Sequence, residues 1–109
     1  MLTWEAFEKV EMRVGTILEV RDFPEARNPA YQLWIDFGAF GIRKSSAQIT
    51  ALYSKEALVG KQIIAVVNFP PKQIGKFISE CLVLGLVGDE KVVTLLQPER
   101  PIPNGQRVA

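Results

Sequence analysis

Met12-Arg-Val-Gly-Thr-Ile-Leu-Glu-Val-Arg-Asp-Phe23 is the stretch whose period decides the architecture. Met12, Val14, Thr16 and Leu18 alternate with Arg13, Gly15, Ile17 and Glu19, the two-residue repeat of an extended strand. The run is longer than most strands, and Gly15 inside it predicts a bulge or a sharp bend. A long, bent first strand favours a sheet closed on itself over an open one.

Outward from this strand the pattern stays mostly extended. On its N-terminal side, Thr3 is placed to cap a short helix over Trp4–Lys9, and Trp4, Phe7 and Val10 recur at helical spacing. Two large aromatics on so short a helix must pack on the barrel or on a second subunit. On the other side, Pro24 to Pro29 reads as a loop. Tyr31, Leu33, Ile35 and Phe37 then alternate with Gln32, Trp34 and Asp36 as a half-buried strand. Gly38 and Gly41 turn the chain into Ile42-Arg-Lys-Ser-Ser46. Ser45 to Leu52 mixes loop with a helical turn, and Ser54 caps a turn through Leu58 that Gly60 ends.

Ile63–Val67 is a buried strand stopped by Asn68-Phe-Pro-Pro71. Ile78–Val87 and Val92–Leu96 supply further strands around a Gly88-Asp-Glu90 turn, and Pro98, Pro101, Pro103 and Asn104-Gly105 mark an irregular tail. The expected fold is all-β: a five-stranded barrel with a short N-terminal helix and a helical turn between strands 3 and 4. That is the oligonucleotide/oligosaccharide-binding (OB) fold, with an open sandwich as the alternative.

At 109 residues, 48% of them hydrophobic and 23% charged, the chain fits one globular domain over residues 1–109. So small a core is marginal alone, which makes oligomerisation an expectation. Met1-Leu-Thr-Trp-Glu does not read as a signal peptide, and the longest apolar run, Ile63–Val67, is far too short to span a bilayer. A single cysteine, Cys81, forms no internal disulfide and reads as a small core residue, so a cytoplasmic location is expected. Histidine is absent, removing the commonest general base and metal ligand. The expectation is a binding protein rather than an enzyme, without catalytic residues, metal or cofactor.

The net charge of +1 conceals an uneven distribution. Between Ala26 and Ser79, Arg27, Arg43, Lys44, Lys55, Lys61, Lys72 and Lys76 face only Asp36 and Glu56, leaving +5; the remainder carries −4. Screening confines charge interactions to roughly 8–10 Å, so a local basic field attracts a polyanion even on a nearly neutral molecule. Charge alone does not decide for binding, since composition favours lysines scattered over a solvated surface.

Several ordered motifs sharpen the reading. Phe7-Glu-Lys-Val-Glu-Met-Arg-Val-Gly-Thr-Ile-Leu18, Tyr31 to Gly38, Gly60-Lys-Gln-Ile-Ile-Ala-Val-Val-Asn68 and Pro71-Lys-Gln-Ile-Gly75 followed by Ser79 stand in order along nearly the whole chain. Together they resemble the tRNA-binding domain found beside methionyl-tRNA synthetases and in related free-standing proteins. Ala26-Arg-Asn-Pro-Ala30, Ser45-Ser-Ala-Gln-Ile49, Asn68-Phe-Pro-Pro71 and Pro103-Asn-Gly105 resemble its bacterial CsaA subgroup, small homodimers linked to tRNA binding and to a chaperone role in protein export. Two departures stand out. Ser45-Ser46 replaces a serine-glycine pair, and Ser79-Glu80-Cys81-Leu82 replaces Ser-x-Gly-Met, placing a carboxylate near the expected phosphate surface.

The resemblance implies a homodimer that binds tRNA by shape and phosphate contacts, with unfolded or export-bound polypeptides and the export machinery as further partners. The expected tRNA contacts are Arg27, Asn28, Arg43, Lys44, Ser45, Lys72, Lys76 and Ser79, with Ser46 and Gln48 as additional hydrogen-bonding groups. Trp34 and Phe69 are the expected polypeptide contacts; Trp34 reads as cover for a barrel end or interface ahead of a base-stacking platform. Trp4, Phe7, Pro101, Ile102 and Pro103 form the expected dimer interface, because a five-stranded barrel leaves them no obvious place. Arg13 is open between an internal ion pair, with Asp36 as partner, and a tRNA contact.

Overall fold

A computed structural model describes all 109 residues, Met1–Ala109. Thr3 accepts the Ala6 N–H through its hydroxyl at 3.0 Å and starts α1, Trp4–Glu8. The long strand β1 spans Met12–Asp22 and lies in the middle of a five-stranded antiparallel sheet. Its neighbours are β2, Tyr31–Asp36, and β4, Gln62–Val66; β3, Ile42–Ala47, and β7, Leu82–Val83, lie at the two ends of the order β3-β2-β1-β4-β7. The sheet curls until these ends meet, making a nearly closed barrel of the OB type. Between β3 and β4, Ser54 accepts the Ala57 N–H and caps α2, Lys55–Leu58, whose Leu58 plugs the barrel with no exposed surface.

Ile17, Leu33, Ile35, Phe37, Leu58, Ile63 and Ala65 fill the interior, all completely buried. The expected bend at Gly15 is replaced by a different device. The bulge falls between Ile17 and Glu19, whose partners across β2 are Ile35 and Trp34, leaving Leu18 unpaired. A bulge reverses the side-chain alternation, so Gly15 and Ile17 face inward while Glu19 and Arg21 face outward beyond it. Gly15 is glycine because the core leaves no room: a β-carbon there would stand 2.6 Å from Ile35 Cγ2 and 2.7 Å from Phe37 Cε1.

One further expectation needs correction. The anticipated strand over Ile78–Val87 is broken into pieces. Lys72–Ile74 (β5) and Phe77–Ser79 (β6) form a separate hairpin turned by Gly75 at φ 61°, while Gly85–Val87 (β8) pairs with Val93–Leu95 (β9) in another. The tail is irregular, as expected, but is tied to the sheet. Gly105 N–H donates to Val14 C=O, Val14 N–H to Gln106 C=O and Val108 N–H to Met12 C=O, pairing the tail with the open edge of β1 through an isolated bridge at Arg107. Asn104 Oδ1 accepts from Thr16 Oγ1 and Gln62 Nε2, and the Gln62 amide exchanges hydrogen bonds with both the N–H and C=O of Ile102.

Candidate nucleic-acid interface

A second, smaller apolar cluster sits outside the barrel and organises the candidate face. Phe77, on β6, packs its ring 5.3 Å from Phe23 and edge-on to Trp34 at 6.0 Å. Ala26, Ala30 and Ile74 close around them. Three elements therefore converge on one ring: the 23–30 loop, the outer face of β2 and β3, and the β5–β6 hairpin. In an OB fold these are the surfaces that meet nucleic acid.

The cations follow. Arg27 and Asn28 are exposed on the 23–30 loop, and Lys72 and Lys76 on the hairpin. Lys44 extends from β3 with its ammonium 5.2 Å from the Phe77 ring centre. Arg21, from the acid-rich first part of the chain, joins them: its guanidinium lies 4.7 Å above the Trp34 ring and is held by Glu19 Oε1. Simple alternation puts Arg21 on the same side as Ile17; the bulge turns it outward. Arg21 lies before the basic segment Ala26–Ser79 and so outside its charge count.

Other expected contacts are engaged elsewhere. Ser45 is a correction: it is fully buried, its hydroxyl donating to Cys81 C=O at 3.1 Å and lying near Ser46 C=O, so it faces the core rather than a ligand. Arg43 shares that inward side of β3, is half-buried, and donates to Val67 C=O. Ser79 Oγ accepts the Ser46 N–H at 3.2 Å. Ser46 is half-buried and Gln48 exposed. Arg13 pairs with Glu11, not Asp36: it donates to Glu11 Oε1 and Gly105 C=O and stacks 3.8 Å from the Phe40 ring centre. Asp36 instead accepts the Gly38 N–H. Cys81 is buried, and desolvation pushes its thiol up to about 12, so it stays protonated.

The expected polypeptide contacts do not meet. Trp34 is half-buried between Arg21 and Phe77. Phe69 lines a groove of about 970 Å³ with Pro70, Ile74, Leu82, Val87 and Val93, along which Lys72 and Ser79 also lie. At the chain ends, Trp4 is 86% exposed; it shares a small apolar pocket with Leu2, Phe7 and Ala109. Pro101 and Pro103 are exposed, but Ile102 is half-buried and bonded to Gln62. No helix is long and apolar enough to cross a membrane.

With this geometry in place, the comparison with known proteins is direct. The family model described as "Putative tRNA binding domain" matches residues 12–107. The chain belongs to the tRNA-binding domain family. That family is a binding module, not a catalytic one. A crystal structure of a CsaA chaperone protein from Picrophilus torridus superposes with a TM-score of 0.93 at 54% identity, each chain covered completely. The chaperone CsaA structure from Bacillus anthracis gives 0.95 at 50%, covering 100% of this chain and 99% of the other. Methionine--tRNA ligase of Nanoarchaeum equitans is 34% identical over 99% of this chain. This tRNA-binding domain spans only 14% of that enzyme's length.

Proposed function

We propose that this protein binds tRNA across the face gathered around Phe77, as a CsaA-type homodimer in the cytoplasm. The observation that supports it most is the convergence of Arg27, Lys44, Lys72, Lys76 and Arg21 on elements joined by the Phe23–Trp34–Phe77 contacts. Lysines and arginines so placed meet phosphate oxygens, and Asn28 offers hydrogen bonds to sugar or base edges. A face this small reads backbone geometry and shape rather than long sequence. Titration with total tRNA at two salt concentrations tests it: affinity falls steeply as salt rises, because each neutralised phosphate releases counterions. Binding that is absent, or indifferent to salt, would overturn the reading.

The dimer proposal rests on the bare N-terminal end. Trp4 at 86% and Leu2 at 74% exposure form an apolar surface that association would cover. Two linked faces would also raise avidity for one tRNA. Sedimentation at micromolar concentration should report a stable dimer, and Trp4→Ala should shift it to monomer; a wild-type monomer overturns the proposal.

A chaperone role on unfolded or export-bound polypeptides is the second reading, favoured by the apolar groove beside half-exposed Phe69. Burial of apolar side chains there changes little with salt, unlike phosphate contact. RNA binding would then be incidental, and the same salt series run with an unfolded peptide separates the two.

A further inference from the structure

The carboxylate of Glu80 stands against the proposed RNA face, whose binding role this inference takes as given. Its position explains it. Strand β3 ends the sheet order, and such an edge leaves alternate N–H and C=O groups without strand partners. Side chains complete this edge. Lys44 N–H donates to Glu80 Oε1 at 3.0 Å, and Lys44 C=O accepts from Glu80 N–H at 2.8 Å. Two residues along the same edge, Ser46 N–H donates to Ser79 Oγ. The Glu80 carboxylate thus takes the place of a backbone carbonyl on a neighbouring strand. It fastens the end of the β5–β6 hairpin to the residue whose own ammonium lies over Phe77.

We propose that Glu80 is a positioning residue of the RNA face. It holds the hairpin carrying Lys72 and Lys76 in register with Lys44, so that a negative side chain strengthens the binding of a polyanion. Charge and geometry predict opposite signs here. If Glu80 acted only through its charge, any neutral replacement would tighten tRNA binding. If it acts as an acceptor, only a replacement that keeps an acceptor oxygen will preserve it.

The test compares Glu80→Gln with Glu80→Ala in the full chain, using total tRNA at fixed salt and native-state hydrogen exchange of the Lys44 amide. Glu80→Gln should bind at least as tightly as the parent and keep the Lys44 amide protected. Glu80→Ala should bind about five- to tenfold more weakly and exchange the Lys44 amide faster, while the Ile63 amide in β4 is unchanged. Glu80→Met, similar in volume and lacking the acceptor oxygen, serves if alanine unfolds the chain. An alanine or methionine variant that binds as tightly as Glu80→Gln overturns the positioning role alone. A parent chain that fails to bind tRNA overturns both this inference and the function it rests on.

Discussion

Gly15→Ala should lower the free energy of unfolding by about 2 kcal/mol, the usual penalty for forcing an extra carbon into a filled core. The new β-carbon meets Ile35 Cγ2 and the Phe37 ring well inside van der Waals contact. Both neighbours are completely buried and cannot swing into solvent. For a domain of this size that corresponds to a melting midpoint roughly 10 °C lower. The pair Gly15→Ala with Phe37→Leu identifies the cause, because leucine removes the aromatic edge the methyl strikes. The double variant should be less destabilised than the two single changes predict together. A midpoint within about 2 °C of the parent would show that the ring gives way freely, and close approach would no longer explain the glycine.

Lys72→Glu combined with Lys76→Glu should weaken tRNA binding roughly 10- to 100-fold at moderate salt, and flatten the salt dependence by about one phosphate contact for each lysine. Both side chains are exposed on the β5–β6 hairpin, so the fold should not change. A melting curve superimposable on the parent's checks that. Lys91→Glu, at the β8–β9 turn, alters net charge equally per residue but lies outside the face, and should cost far less affinity. A loss per charge as large for Lys91→Glu as for the hairpin pair would mean that only overall charge matters, and the hairpin would lose its assignment.

How much of this was readable from the residues follows from local physics. Alternation in Tyr31–Phe37 and the apolar run Ile63–Val67 marked strands correctly, because side chains on a half-buried or buried sheet obey a strict period. Thr3 and Ser54 marked helix starts for the same reason: caps are local chemistry. The bulge at Leu18 was misplaced to Gly15, since a glycine signals a missing side chain without saying whether bending or crowding requires it. The bulge lies three positions beyond Gly15, and there it turns Arg21 outward. Ser45 was misread because a serine next to basic residues looks like a phosphate contact, while its burial depends on β3 meeting Cys81 across the barrel, 36 positions away. Glu80 looked unfavourable because its partner is a backbone amide, which no side-chain pattern records.

The pairing of the tail with β1 also bears on how the molecule assembles. Arg13 reaches Gly105 across 92 positions of sequence, and the same stretch of β1 pairs with β4 on its other side. The central strand therefore obtains its last neighbour only after the distant end of the chain has been brought back to it. Loop closure over such a span must precede any reward from the contact, which slows the search for the native topology. Until that closure, the edge of Met12–Val14 stands open as a template for another chain. The kinetics of refolding and the tendency to aggregate should thus be governed by the same few residues, Gly105 to Val108.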